Sequence, residues 1–146
     1  MKIRPVVAGD RTEWIRMRSA LWPDSPGDHP PEIDQFFTTR DNTLATFVAE
    51  DEHGAIRGFI EAGTRPYAEG CLSSPVGYIE GWWVDPDYRR MGVGSALVAA
   101  AESWARALGL TEMASDADVA NSVSEAAHLG LGYREAQRIV CFCKVL

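Results

Sequence analysis

The 146-residue chain is long enough to bury a hydrophobic core and short for two domains, so one domain spanning residues 1–146 is expected. Its 46% hydrophobic and 24% charged content is that of a globular chain and excludes disorder. With 14 Lys and Arg against 21 Asp and Glu, the formal charge of -7 argues against nucleic acid and anionic membrane as partners and favours polycations.

No apolar run reaches the ~18–20 residues of a membrane helix, and the start Met1-Lys2-Ile3-Arg4-Pro5 has no apolar stretch behind it to make a signal peptide. Cys71, Cys141 and Cys143 have neither a C-x-x-C spacing nor an even count, so they offer no zinc site and no disulfide framework. They read as small buried hydrophobes in a reducing compartment, and the expected location is cytoplasmic.

In chain order, Lys2–Val7 is a predicted strand. Asp10 with Glu13 three residues on has the form of a capping box, and Trp14, Met17 and Leu21 continue a helix to about Leu21. Prolines 23, 26, 30 and 31 break the chain, and Pro31 opens a second helix to about Thr39. Leu44–Glu50 and Ile56–Ala62 are strands joined by the turn Asp51–Ala55. Val76–Val84 is a third strand in this stretch, rich in aromatic and β-branched residues. Gly92–Leu108 is an Ala-rich helix stopped by Gly109, Thr111–Ser115 a short strand, Asn121–Leu131 a helix and Arg138–Val145 a closing strand. Antiparallel strands followed by a βαβ-like unit predict an α/β fold with a mixed, mostly antiparallel central sheet flanked by helices.

The segment Arg89-Arg90-Met91-Gly92-Val93-Gly94-Ser95 follows a strand and opens a helix. Glycines there allow close backbone approach, and helix-terminal N–H groups favour an anion such as pyrophosphate. It is neither a P-loop nor the six-residue dinucleotide fingerprint. On two glycines alone, a tight turn with solvated arginines is an equal reading.

The wider pattern Arg89-x-x-Gly92-x-Gly94, preceded by Val84-Asp85-Pro86-Asp87-Tyr88, resembles the coenzyme A pyrophosphate loop of the GNAT superfamily of N-acetyltransferases. Asn121, 11 residues before Gly132-Tyr133, resembles that family's second signature, and the element order matches its fold. The resemblance implies acetyl transfer from acetyl-CoA to an amine. Backbone N–H groups of Met91, Gly92, Val93, Gly94 and Ser95 would hold the pyrophosphate, with Arg89, Arg90 and Asn121 alongside. Trp82, Trp83 and Val84 would pair with the pantetheine arm and offer an N–H to the thioester oxygen.

The acceptor is read from acidic residues. Glu80 lies in an otherwise apolar strand, where alternation puts it with Tyr78 and Trp82 unless a bulge intervenes. It either binds a cation or pairs internally with an arginine. Asp116 and Asp118 follow the strand ending at Ser115, at the end where open α/β sheets bind ligands, or else they are turn residues. Asp24, Asp28 and Glu69 lie on loops and read as surface. Leu21-Trp22-Pro23, Tyr67-Ala68-Glu69-Gly70-Cys71, Ser74-Pro75-Val76, Glu80-Gly81 and Glu112-Met113-Ala114-Ser115-Asp116 together resemble the small aminoglycoside 6'-N-acetyltransferases, over nearly the whole chain. That resemblance implies that Trp22, Tyr67, Glu80 and Asp116 line the acceptor site, with Ser25 and Gln137 departing from His and an acidic residue in relatives.

For the chemistry, Glu80 and then Asp116 are candidate proton acceptors from the amine. His128 stands where many superfamily members carry a thiolate-protonating Tyr, and is either that acid or a helix-face residue; Tyr133 reads as core. The apolar stretch Ile139–Leu146 is either sheet core or the interface of a homodimer. Two other functions remain open: acetylation of a different small amine or a protein N-terminus, and a non-catalytic acetyl-CoA sensor.

Overall fold

The computed structural model of the chain, which describes residues 1–146, is organised around one five-stranded sheet. Its elements are β1 (Lys2–Pro5), α1 (Arg11–Leu21), α2 (His29–Thr39), β2 (Leu44–Glu50), β3 (Ile56–Arg65), β4 (Val76–Val84), α3 (Val93–Ala107), β5 (Met113–Ser115) and α4 (Ser122–Gly130). The strands lie side by side in sequence order. β1 to β4 are antiparallel, and β5 joins β4 in parallel. This is the mixed sheet that the pattern predicts. No helix is long and apolar enough to cross a membrane.

The strands separate two apolar layers because their side chains alternate between faces. On one face Val93, Leu97, Val98 and Ala101 of α3 pack on Ala49, Ile60, Ala62 and Ile79. On the other, Trp14 and Met17 of α1 and Ile33 of α2 pack on Val48 and Phe59. Met17, Phe59 and Leu97 are fully enclosed, and each such side chain contributes on the order of 1.5–3 kcal/mol relative to exposure. The Asp51–Ala55 turn forms as expected: the Asp51 carboxylate accepts from the N–H groups of His53 and Ala55, both at 2.9 Å.

The start of α1 differs from the capping box expected. The Asp10 carboxylate accepts from Val7 N–H at 2.9 Å and from the Arg4 guanidinium at 2.7 and 2.9 Å, while Glu13 bonds Arg16. A charge-assisted, two-pronged bond to Arg4 is worth more than a cap bond, so Asp10 turns toward β1. The same guanidinium holds its carboxyl below the ordinary range.

The closing strand predicted over Arg138–Val145 does not form, and the residues after Gly132 have no regular secondary structure. The tail is held near its start, where Arg134 donates to the Gly70 carbonyl at 3.0 Å and Arg138 pairs with Glu135 at 2.6 Å. Beyond that point Phe142 is 92% exposed and Leu146 108%. An alternating apolar pattern needs an adjoining edge to become a strand, and this segment reaches none within the chain. Cys141 and Cys143 are therefore exposed instead of buried, and Cys71 is half-buried. Neither the buried-cysteine expectation nor the sheet-core reading of the tail holds.

Candidate active site

The site begins where β4 and β5 part. β5 pairs with β4 only from Gly77 opposite Met113 to Ile79 opposite Ser115, whereas β3 accompanies β4 on its other side through Val84. From Glu80 onward the outer edge of β4 has no strand beside it. Such an edge presents backbone N–H and C=O groups to an extended, amide-containing ligand.

At the same point β4 carries a bulge. Glu61 of β3 faces Gly81 and Ala62 faces Ile79, so Glu80 is an additional residue in the ladder. Gly81 therefore turns to the α1/α2 face, where a Cβ on it would lie 2.4 Å from the Trp22 ring. Trp82 turns to the α3 face and packs with the cluster beneath that helix. The alternation that grouped Glu80 with Trp82 is corrected: Glu80 stays with Tyr78, and Trp82 lies across the sheet. Trp83 is back on the α1 side, with the Arg16 guanidinium 5.6 Å from its ring centroid, so its backbone alone remains at the open edge.

Beyond β4 the chain turns through Arg90 (φ +61°) and Gly92 (φ +81°) into α3. The space over Gly92 is open, with nothing within 4 Å of where a Cβ would stand. A Cβ on Gly94 would instead meet Trp82 at 2.7 Å, so Gly94 is small in order to seat the helix against the strand. Buried Val93 anchors the first turn, and the leading N–H groups of α3 have no intrahelical acceptor. Arg89 turns back, its Nε donating to the Val84 carbonyl at 2.9 Å, while Met91 is exposed. Free N–H groups, the helix dipole and open space together fit an anionic group such as a pyrophosphate. Asn121 serves α4 itself, its side chain accepting from Ser124 N–H at 3.0 Å as the N-cap.

On the α1/α2 face the carboxylates are linked by residues the sequence reading passed over. Arg65, at the end of β3, donates to both Glu80 oxygens at 2.9 and 2.6 Å. Its guanidinium lies 3.5 Å from the Tyr78 ring centroid, and the Tyr78 hydroxyl donates to Asp116 at 2.8 Å. Burial pushes the Tyr78 phenol up, and the bond to Asp116 adds to the effect. The internal arginine pairing weighed for Glu80 is thus the one observed. With side chains 41% and 35% exposed, that pair is a weak one.

Trp22 lies over Gly81 with the Arg18 guanidinium 5.1 Å from its ring centroid, whereas Tyr67 is 66% exposed on the loop after β3. Asp118 is a turn residue, accepting from Ala120 N–H at 2.8 Å. Glu80 borders a cavity of about 310 Å³ that also holds Glu61, Arg18 and Trp14. Asp116 borders a larger cleft of about 1300 Å³ together with Arg65, Tyr78, Ser115 and His128. Glu61 was also missed. It accepts from the Trp14 indole at 2.7 Å, and burial pushes its carboxyl up to about 7.

His128 has a bonding partner at each ring nitrogen. Its Nδ1 is 2.7 Å from the Ser124 carbonyl and its Nε2 2.9 Å from the Ser115 hydroxyl. Trp82 and Tyr133 stand edge-on to the ring, 5.5 and 5.6 Å away between centroids. Tyr133 is half-buried and donates to Glu102 at 3.1 Å, in keeping with a packing role.

The family model for the acetyltransferase (GNAT) family matches residues 12–133. The aminoglycoside N(6')-acetyltransferase type 1 of Klebsiella aerogenes is 45% identical over 146 residues, covering 99% of this chain and 96% of its own. Its counterpart in Acinetobacter baumannii is 38% identical over 145 residues, covering 99% and 98%. Among solved structures, the aminoglycoside 6'-N-acetyltransferase AAC(6')-IG of Acinetobacter haemolyticus superposes with a TM-score of 0.92 at 35% identity, covering 100% of this chain and 99% of that one. AAC(6')-Iy in complex with the bisubstrate analogue CoA-S-monomethyl-acetylneamine gives a TM-score of 0.89 at 35% identity, covering 99% and 98%. An open strand edge leading to a glycine-started helix, on this fold and with these relatives, places the chain in the acetyltransferase (GNAT) family.

Proposed function

We propose that the chain transfers the acetyl group of acetyl-CoA to the 6'-amine of aminoglycosides. The observation that carries this reading is the bulge at Glu80, which sets an anion-fitting loop and an open strand edge beside a carboxylate-bearing face suited to a polycation. Relatives with that activity, at 37–45% identity over nearly the whole chain, support it.

Coenzyme A, when bound, supplies the acetyl group as an activated thioester. The leading N–H groups of Met91 to Ser95 hold its pyrophosphate, and the edge from Trp82 to Val84 aligns the pantetheine arm and polarises the thioester oxygen. On the opposite face Glu80 and Asp116 take the ammonium groups of the antibiotic, Trp22 and Tyr67 pack on its sugar rings, and Arg65 yields Glu80 to the incoming cation. The amine attacks once neutral, its proton passing to Glu80 or Asp116 directly or through water. The proton for the departing thiolate comes from the side of His128.

Two further parts of the reading concern the state of the protein. The exposed apolar tail from Ile139 to Leu146 serves as the interface of a homodimer, and the enzyme acts in the cytoplasm, where its cysteines stay reduced.

A survey of amine acceptors by coenzyme A release, followed by two-dimensional NMR of the kanamycin A product, tests the reading. Turnover of kanamycin A with the acetyl group on the 6'-nitrogen is expected. Turnover of other amines alone would move the acceptor class, and acetylation at the 3- or 2'-amine would reverse the orientation of the antibiotic in the cleft.

A further inference from the structure

The bonds around His128 define more than a neighbouring acid. Nδ1 lies 2.7 Å from the Ser124 carbonyl, which can only accept, and 3.3 Å from the Ser124 hydroxyl; the shorter contact assigns the hydrogen to Nδ1. In the neutral ring Nε2 is then a lone pair, and the Ser115 hydroxyl 2.9 Å away donates to it. In the imidazolium Nε2 gains a hydrogen, Ser115 Oγ becomes the acceptor, and the hydroxyl hydrogen is released to point elsewhere. Both protonation states are fully bonded without rotation of the ring. The ring is also wedged edge-on between Trp82 and Tyr133. Ser115 is the last residue of β5, where that strand leaves β4, and both Ser115 and His128 border the larger cleft.

We infer that Ser115 is a further catalytic residue, whose hydroxyl delivers the proton to the departing coenzyme A sulfur and is itself reprotonated by His128. The inference rests on the acetyl-transfer reading above. In the step, the amine nitrogen has bonded to the acetyl carbon and the carbon–sulfur bond breaks, its electron pair going to sulfur. The sulfur takes the Ser115 hydrogen, Ser115 Oγ takes the Nε2 hydrogen of the imidazolium, and His128 is left neutral with Nδ1–H still on Ser124. Solvent restores the imidazolium. His128 is accordingly a positioning and supply residue, and Ser115 is the group that meets the sulfur. Asp116, which follows Ser115, is bonded to Tyr78 and belongs to the acceptor.

General acid catalysis contributes ~10²–10⁴-fold, and a thiolate is a good enough leaving group to place the effect near the lower end, about 10²-fold. Single-turnover acetyl transfer to kanamycin A should fall by about that factor in Ser115→Ala, with the KM for acetyl-CoA within about twofold of wild type. Ser115→Thr, which keeps the hydroxyl, should recover most of the rate. His128→Phe, which keeps the edge-on packing, should lose as much as Ser115→Ala, and the double variant little more, because the two act as one unit. In the neutral form of the His128 ring, nitrogen-15 NMR should find the hydrogen on Nδ1. A wild-type rate in folded Ser115→Ala, additive losses in the double variant, or a hydrogen on Nε2 in the neutral ring would each overturn the relay while leaving the acetyltransferase reading intact. Absence of wild-type turnover with every amine would overturn both.

Discussion

Arg65 holds both carboxylate oxygens of Glu80, at 2.9 and 2.6 Å, on the face proposed for a cationic substrate. On the proposed reading, an internal cation occupies the carboxylate meant for the substrate, and binding would exchange one positive charge for another. A partly exposed pair of this kind is worth about 0.2–1 kcal/mol, small enough for an ammonium to replace. Removing the competitor should help. Arg65→Gln is expected to lower the KM for kanamycin A by about 1.4- to fivefold, the equivalent of that energy, and to leave the KM for acetyl-CoA unchanged.

The carboxylates themselves should show the opposite sign. Glu80→Gln and Asp116→Asn each remove a charge-assisted contact worth on the order of 1.5–3 kcal/mol, or about 10- to 150-fold in kcat/KM for the aminoglycoside. Glu80→Gln also leaves the Arg65 charge unmatched, so it should be the more damaging of the two. Steady-state kinetics with each substrate varied in turn separates this from a folding defect, which would depress both.

Gly92 offers a test of the anion cradle. Its φ of +81° and the open space over it mean that a valine there strains the turn and stands in the path of a ligand without striking the protein. Gly54 has a φ of +80° and equally open surroundings on the β2–β3 turn, outside the proposed cradle, which makes it a matched control. Both valine variants should lose about 1–2 kcal/mol of stability. Calorimetry should find acetyl-CoA affinity reduced at least tenfold in Gly92→Val alone; equal affinity in the two would move the pyrophosphate site away from this loop.

Glu61 gives the protein a pH-dependent stability. Burial raises its carboxyl from the ordinary 4.5 to about 7, against the Arg18 charge and the Trp14 bond that favour ionisation. Between those values the folded protein keeps a proton that the unfolded chain has lost, so stability falls as pH rises from about 4.5 to 7. A displacement of that size corresponds to about 3 kcal/mol at neutral pH and above. Urea unfolding of wild type and Glu61→Gln across this range should show the decline in wild type and its flattening in the variant.

The tail prediction is one of association. Phe142 and Val145 are each 92% exposed, so charged replacements cost the folded chain almost nothing. Phe142→Asp should keep the wild-type circular dichroism spectrum and convert a dimer, by light scattering, into a monomer. A wild type that is already monomeric would set the dimer aside.

How far the sequence carried the reading depended on the kind of information each feature needs. The helices and strands up to Gly130 follow from local periodicity, and the Arg89–Ser95 loop follows from residue types and their position between a strand and a helix. The bulge does not, because Val76–Val84 reads as an unbroken strand and the additional residue exists only relative to β3. Arg65 was passed over for a related reason. Its role comes from the β3–β4 register that sets it near Glu80, 15 residues on in sequence, although its place on the same strand face as Glu61 and Gly63 was a usable signal. The tail failed in the other direction. Its alternation from Arg138 to Val145 is a strand pattern, but a pattern specifies faces and says nothing about which edge will receive them.

One inserted residue at Glu80 reverses which way every later side chain of β4 points. Without it, Trp82 would turn toward α1 and α2, and the packing of Gly94 against that indole would be lost along with the seat of α3. With it, Tyr78 and Glu80 stay on the α1/α2 face proposed for the acceptor, while Trp82 turns beneath α3 beside the loop proposed for the nucleotide. On the proposed reading, substitutions at Arg65, Tyr78 and Glu80 would alter the acceptor side while leaving the Trp82–Gly94 contact untouched.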